Sequence, residues 1–251
     1  MKIELYKENI PYNLFTDDTP FVSTYLVDTW YDLPAIIILP GGGYSEHAKH
    51  EAEPIAKFYN EKGFHSFILN YRLLPNAYPS SLCDLQRLIK YLRANADNLK
   101  IDQNKIFVIG FSAGGHLAAL SAVSKDICLL NDELDNWSHK PSGVLLSYPV
   151  ITSEHPCVQK HCGNNKTLYD ELSIEKQIST NTPKMFIWHT SDDNVVDVQH
   201  SLKLASALRN HNINFELHIF PSGAHGLGLA QLYTDISKWA QLSVDWILKN
   251  F

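Results

Sequence analysis

Gly110-Phe111-Ser112-Ala113-Gly114-Gly115 sets a serine between glycines two residues to either side, after the apolar run Ile106 to Ile109 and before the helical run His116 to Val123. This order of strand, tight turn and helix is the context that a G-x-S-x-G elbow requires. A serine at the tip of such a turn has strained backbone, and its neighbours must lack a Cβ, which Gly110 and Gly114 satisfy. The hydroxyl then stands above the carboxyl ends of the strands, with the Ala113 amide at a helix N-terminus where it can donate to an anionic oxygen. The chemistry is nucleophilic attack on a carbonyl, with Ser112 as nucleophile. The plainer alternative is a serine that caps the helix.

A carbonyl attacked by an alkoxide needs donors for its oxygen. Ala35 to Leu39 reads as a buried strand ending in Pro40-Gly41-Gly42-Gly43-Tyr44. Consecutive glycines leave backbone amides free to point into a cavity, so Gly42 and Gly43 join Ala113 as candidate oxyanion donors. Tyr44, beside this loop, is the candidate substrate-binding side chain: its ring could stack on a pyranose or an alkyl ester, as could Trp188, although aromatic residues more commonly fill cores.

The nucleophile also needs a base. Of 12 histidines, His225 lies in Pro221-Ser222-Gly223-Ala224-His225-Gly226, after the last strand, where flanking glycines let a loop carry it to the sheet's carboxyl edge. His218 falls inside the strand and His116 inside the helix after the elbow, which suits packing roles. The chain order serine, acid, histidine favours His225 as general base. The acid comes from Asp192 or Asp193, which follow Met185 to Trp188 at a strand's carboxyl end. Only one can face the histidine, and the other is suited to accepting backbone N–H groups in the turn.

The elements that must position these groups alternate. Lys2 to Tyr6 and Phe21 to Val27 pattern as strands with one wet face, at an antiparallel edge. The runs Ala35 to Leu39, Phe67 to Leu69, Ile106 to Ile109, Val144 to Leu146, Met185 to Trp188 and Phe215 to Phe220 suit strands covered on both faces. Helical spacing marks Glu51 to Lys62, Leu82 to Ala94, the stretch through Leu202, Ala205 and Leu208, and the terminal stretch through Ile236, Trp239, Trp246 and Ile247. The sum is an α/β fold: a mostly parallel central sheet with an antiparallel N-terminal edge and helices on both faces, in one domain over residues 1–251. The polar segment Ile151 to Thr182 interrupts the rhythm, and is expected to be either a lid or wall over the site or a surface excursion with a short helix.

The chain has 251 residues, 45% hydrophobic and 19% charged, enough to bury a large core. A net charge of -6 without a basic run argues against nucleic acid as a partner. Met1 to Ile10 lacks the apolar core of a signal peptide, and no apolar run has the length of a membrane span, so the expected setting is cytoplasmic, with no membrane partner. Cys83, Cys128, Cys157 and Cys162 are too few and scattered for a disulfide framework, and reduced thiols are expected. His155, Cys157, His161 and Cys162 fit no common zinc spacing, so neither a metal nor another cofactor is expected.

Several stretches together resemble the bacterial esterase branch of the α/β-hydrolase superfamily, in particular acetyl xylan esterase-like and carbohydrate-esterase-like proteins. They are Leu39-Pro40-Gly41-Gly42-Gly43-Tyr44, Glu51-Ala52-Glu53-Pro54-Ile55-Ala56, Asn70-Tyr71-Arg72-Leu73, Gly110 to Ala118, and Trp188-His189-Thr190-Ser191-Asp192-Asp193-Asn194-Val195-Val196. The resemblance implies the α/β-hydrolase fold and Asp193 as the acid, four residues after His189. It also implies hydrolysis of short-chain carboxylic esters, with a small-molecule ester as substrate and acetylated carbohydrate as one candidate, and it leaves room for a homodimer. Two alternatives stay open: an amidase, arylformamidase or peptidase-like hydrolase with the same triad, and a non-catalytic hydrolase fold used for binding.

Overall fold

The computed structural model describes residues 2–6, 10–13, 18–76 and 78–251; Met1 and residues 7–9 of the N-terminal stretch read above lie outside them. Among the described residues eight strands form one sheet: β1 (Lys2–Glu4), β2 (Phe21–Tyr25), β3 (Leu33–Leu39), β4 (His65–Asn70), β5 (Ile101–Phe111), β6 (Gly143–Ser147), β7 (Met185–Thr190) and β8 (Phe215–Phe220). Their order is β1-β2-β4-β3-β5-β6-β7-β8. β2 runs antiparallel to both β1 and β4, and every pair from β4/β3 to β7/β8 is parallel.

Helices cover both faces. On β3 the side chains alternate: Ala35, Ile37 and Leu39 point into one core, and Ile36 and Ile38 into the other. The first core is closed by α2 (Ser80–Ala94), α4 (Ala113–Val123) and α8 (Gln199–Asn210), and the second by α1 (Glu53–Glu61) and α9 (Lys238–Asn250). Both faces being covered explains why these strands read as unbroken apolar runs. α4 is buried from Ala113 to Ala122, which explains its lack of a polar stripe. A short α3 (Ala96–Leu99) leads into β5.

β3 and β5 are neighbours, yet the chain leaves β3 toward β4 on one side and leaves β5 toward β6 on the other. Such a reversal opens a crevice beyond the carboxyl ends of the two strands, where open α/β sheets bind ligands. The glycine loop follows β3 and Ser112 follows β5, so the topology brings both to that crevice.

Three expectations change. Among the described residues β8 pairs only with β7, and it is half-buried, with Ile219 41% exposed. It is an edge strand, and Glu216 and His218 interrupt its apolar pattern because one side meets solvent. Cys83 and Cys128 are joined as a disulfide, while Cys157 and Cys162 are free and buried. The bridge was illegible because its partners are 45 residues apart and sit on separate elements that only folding brings together.

The segment 151–182 is more helical than its polarity suggests, with α5 (Pro156–Cys162), α6 (Lys166–Glu171) and α7 (Ile174–Gln177). It is anchored at several points: Tyr78 N–H donates to His161 Nδ1 at 3.0 Å, His116 Nε2 donates to the Leu172 carbonyl at 2.9 Å, and Ile174 N–H donates to the Ile151 carbonyl. His200 Nδ1 accepts the amides of Ile151 and Thr152. Among the described residues no helix is long and apolar enough to cross a membrane.

Candidate active site

Ser112 has φ 53° and ψ −116°, a conformation that non-glycine residues rarely hold and that costs roughly 1–3 kcal/mol. Its backbone is held on both sides: Ser112 N–H donates to the Ser147 carbonyl at 3.0 Å, and its own carbonyl accepts the amides of His116 and Val150. The flanking glycines are required by contact. A Cβ on Gly110 would lie 2.1 Å from the Gly114 carbonyl oxygen, and one on Gly114 would lie 2.2 Å from that of Leu39. Gly110 thus lets the start of α4 fold back onto the end of β5, and Gly114 lets it press against the end of β3, which brings Ser112 alongside the glycine loop.

His225 is carried by the loop after β8. Its Nε2 lies 2.8 Å from Ser112 Oγ, and its Nδ1 lies 2.6 Å from Asp193 Oδ2. A carboxylate only accepts, so Nδ1 carries the proton and Nε2 is left to accept from the serine hydroxyl. The imidazole packs edge-on against Tyr148, with centroids 4.9 Å apart. Tyr148 in turn contacts Trp188, which stacks on Trp239 and donates through Nε1 to Ser147 Oγ.

Asp193 is buried and accepts from several donors. Oδ1 takes the amides of Val195 and Val196, both at 2.9 Å, and Oδ2 faces His225 and, at 3.4 Å, His189 Nε2. Burial opposes its ionisation, but hydrogen bonds from His189, His225 and the two amides outweigh it, and the carboxyl is held well below the usual carboxylate range. His189 is fixed at both ring nitrogens: Nε2 donates to the Val196 carbonyl at 2.9 Å, and Nδ1 accepts from Ser201 Oγ at 2.8 Å. Asp192 turns the other way, and its Oδ1 accepts the Gly223 amide at 2.8 Å. Asp192 does take a backbone N–H, as expected, but from the loop of His225 and not from its own turn.

In the loop after β3, Gly42 has φ 122°, a conformation open to glycine, and its carbonyl accepts the amides of Ser45 and Glu46. That turn directs the chain so that, among the described residues, the amides of Gly42 and Gly43 donate to no protein acceptor. Ala113 is the first residue of α4, so its amide also lacks an intrahelical partner.

Tyr44 departs from its expected role. It is 2% exposed, its hydroxyl donates to His116 Nδ1 at 2.8 Å, and its ring meets Tyr71, His116 and His161 edge-on. It anchors the glycine loop from within and offers no face to a substrate. Trp188 is likewise fully buried. His218 pairs with Glu216 on β8. The residues weighed for zinc have separate partners: His155 Nδ1 lies 3.1 Å from Cys157 Sγ, whereas His161 takes the Tyr78 amide. Among the described residues no group of three or more His, Cys, Asp or Glu side chains is placed to hold a metal.

Glu51, Tyr148 and His189 touch the site and were missed by sequence reasoning. His189 carries a local signal, since it lies near the end of β7, the strand that delivers Asp193, four residues before that acid. Glu51 lies within one of the stretches that carry the resemblance, but no local rule assigns it a partner.

The BD-FAE family model matches residues 27–208. Among curated proteins, the chain is 37% identical over 224 residues to endo-1,4-beta-xylanase B of Butyrivibrio fibrisolvens, covering 84% of this chain and 35% of that protein. It is 30% identical over 224 residues to an acetylxylan esterase of Xylanibacter ruminicola, covering 82% of this chain and 45% of that protein. The chain thus spans less than half the length of these two curated relatives. Among solved structures, an acetyl ester-xyloside bifunctional hydrolase from Caldicellulosiruptor lactoaceticus superposes with a TM-score of 0.93 at 38% identity, covering 99% of this chain and 96% of that one. An α/β hydrolase from a Medee basin deep-sea metagenome library superposes with a TM-score of 0.78 at 30% identity, covering 99% of this chain and 96% of that one, and the chain has this α/β-hydrolase fold, its sheet mostly parallel with antiparallel N-terminal strands.

Proposed function

The chain belongs to the BD-FAE family, and from that premise we propose that it is a serine esterase that cleaves short-chain carboxylic esters, acetyl esters of sugars among them. The observation that carries this reading is the continuous hydrogen-bonded line from Ser112 Oγ through His225 to Asp193, beside amides without protein partners.

In the proposed reaction Ser112 Oγ attacks the ester carbonyl while His225 Nε2 takes its proton, and Asp193 keeps the proton on Nδ1 and stabilises the imidazolium. The amides of Gly42, Gly43 and Ala113 hold the oxyanion, each such donor contributing roughly 3 kcal/mol. The imidazolium gives its proton to the leaving alcohol as the tetrahedral intermediate collapses to an acyl-enzyme. His225 then takes a proton from water as it attacks the acyl carbon, and returns that proton to Ser112 Oγ as the second tetrahedral intermediate collapses to the acid and free Ser112. No cofactor enters this scheme.

The acetylxylan esterase and the acetyl ester-xyloside bifunctional hydrolase named above act on acetyl esters by their descriptions, and this supports a small acyl group on a sugar. We read 151–182 as a fixed wall of the site and not a swinging lid, because its anchors reach the turn before α2, α4 and α8 as well as its own base.

Ser112→Ala is expected to abolish p-nitrophenyl acetate hydrolysis and fluorophosphonate labelling while leaving the fold intact. Turnover retained in that variant would refute the triad. Among acetate, butyrate and octanoate esters, acetate is expected to be cleaved best, and a preference for octanoate would remove the small-acyl reading. Acetylated xylo-oligosaccharides assayed beside N-formylkynurenine separate ester from formamide cleavage. A folded wild-type protein that no fluorophosphonate labels would instead favour a binding role.

A further inference from the structure

Glu51 is a carboxylate in the interior, 2% exposed, that the proposed proton transfers do not use. It closes a single 3-10 turn (Lys49–Glu51) just before α1. Apart from His50, whose Nε2 is 3.8 Å from Oε1, no basic side chain pairs with it among the described residues. A buried carboxylate without a full countercharge is expensive and persists where its hydrogen bonds compensate.

Those hydrogen bonds reach both halves of the site. Oε2 accepts the Gly41 amide at 2.8 Å, at the root of the loop whose next two residues are Gly42 and Gly43. Oε1 accepts the Tyr148 hydroxyl at 2.6 Å, and that oxygen accepts the Gly228 amide at 2.9 Å, three residues beyond His225. Tyr148 also presents its ring to the imidazole. Burial and the negative charge of Glu51 push the Tyr148 hydroxyl far above its ordinary range, so it remains a donor. The preceding residue repeats the link, as His50 Nε2 donates to the Gly226 carbonyl at 2.8 Å. Gly41 leaves no slack: a Cβ there would meet Glu51 Oε2 at 2.7 Å and Ser112 Cβ at 3.1 Å.

We propose that Glu51 is a positioning residue that sets the spacing between the oxyanion amides and the imidazole, holding Gly41 directly and Gly228 through Tyr148. The proposal rests on the triad reading above. A fixed spacing matters most when the oxyanion and the imidazolium exist together, so its loss acts on the transition state and not on ground-state binding.

Substitution separates the two arms. In Glu51→Gln the amide nitrogen cannot accept, so it either displaces the Gly41 amide or faces the Tyr148 oxygen, where the hydroxyl must turn its proton away; one arm is lost or reversed and the negative charge is removed, with little change in volume. Tyr148→Phe keeps the ring against His225 and the Glu51 bond to Gly41, and removes only the arm to Gly228.

The test measures kcat and KM for p-nitrophenyl acetate, thermal unfolding, and inhibition by a short trifluoromethyl ketone, in wild type, Ser112→Ala, Glu51→Gln and Tyr148→Phe. Ser112 Oγ adds to the ketone carbon, its proton passes to His225, and the resulting alkoxide occupies the oxyanion amides, so inhibitor affinity reports the assembled site. Glu51→Gln is expected to lower kcat about 30-fold with KM within about two-fold, and to weaken the ketone by the same factor as kcat/KM. Tyr148→Phe is expected to lower kcat and ketone affinity together by about five-fold. A folded Glu51→Gln that keeps wild-type kcat, or loses activity with ketone affinity unchanged, overturns the proposal. If Glu51→Gln does not fold, Tyr148→Phe decides, and unchanged kcat and ketone affinity in it overturn the proposal. Turnover surviving in Ser112→Ala would instead overturn the triad, a separate failure.

Discussion

Asp192 Oδ1 accepts the backbone amide of Gly223 at 2.8 Å and so ties the turn after β7 to the loop that carries His225. Its neighbour Asp193 faces the imidazole itself. Adjacent carboxylates thus act on one loop at two levels, one on its backbone and one on its side chain. Thr190 adds a third tie, donating through Oγ1 to the Gly223 carbonyl at 2.8 Å.

This division predicts unequal costs. Asp193→Asn presents an amide where the histidine needs an acceptor and favours the wrong imidazole tautomer, so kcat for p-nitrophenyl acetate should fall by about 1,000-fold or more. Asp192→Asn keeps a carbonyl oxygen for the Gly223 amide, and Thr190 still holds the loop, so kcat should stay within about five-fold of wild type. Equal losses in the two variants would contradict the assignment of roles.

The elbow glycines give a stability prediction. Gly110→Ala and Gly114→Ala each force a Cβ to within about 2 Å of a backbone carbonyl oxygen, and backbone cannot swing aside as a side chain can. A loss of more than about 3 kcal/mol in urea unfolding is expected for each. Gly63 is the control: its φ is +86°, yet an added Cβ would meet nothing within 4 Å. Gly63→Ala should cost only about 1–2 kcal/mol, from backbone strain alone. A mild effect at Gly110 would mean that the elbow relaxes more freely than its packing suggests.

What was legible in the chain follows from how local each signal is. The strand, elbow and α4 are encoded within about twenty consecutive residues, and a covered sheet needs the apolar runs that β3 and β5 to β7 display. The polar ties are different. Glu51, Tyr148 and Gly228 meet only after α1, β6 and the loop after β8 have docked, and no spacing rule links positions 97 and 80 residues apart. Tyr44 misled for the same reason: its place beside the glycine loop was readable, whereas the direction of its ring depends on His116 and His161, which come from distant elements.

His116 gives a pH prediction. It is 2% exposed, accepts from Tyr44 through Nδ1 and donates to Leu172 through Nε2, and burial lowers its pKa to about 4. In the unfolded chain it titrates near about 6.5. Between these values the unfolded state binds a proton that the native state refuses, so unfolding is favoured as pH falls through this window. The stabilisation is complete above about pH 6.5 and shrinks by about 2 kcal/mol on going to pH 5, for this residue alone. Urea titrations at pH 7 and 5 should show a net decline, since His161 and His200, both lowered to about 4 chiefly by burial, add in the same direction, whereas Glu175, raised by burial, acts against them. A flat profile would exclude a neutral, buried His116.

The bridge between Cys83 and Cys128 fixes α2 to the segment after α4. The surrounding contacts do not depend on it. Gln86 accepts the Ile127 amide and donates to the Lys125 carbonyl, and Lys90 Nζ donates to the Cys128 carbonyl at 2.9 Å. Native packing should therefore survive reduction, and the effect should fall on the unfolded chain, which regains the freedom of a loop with a separation of 45 residues. Loop-closure entropy for that length gives about 4 kcal/mol as an upper figure. Reduction should lower urea stability by about 2–4 kcal/mol and leave kcat unchanged, because no partner of Ser112, His225 or Asp193 belongs to the bridge. Alkylation of unfolded, unreduced protein should modify Cys157 and Cys162 alone. Modification of all four cysteines would show the bridge to be absent in solution, and the stability difference on adding reductant should then vanish as well.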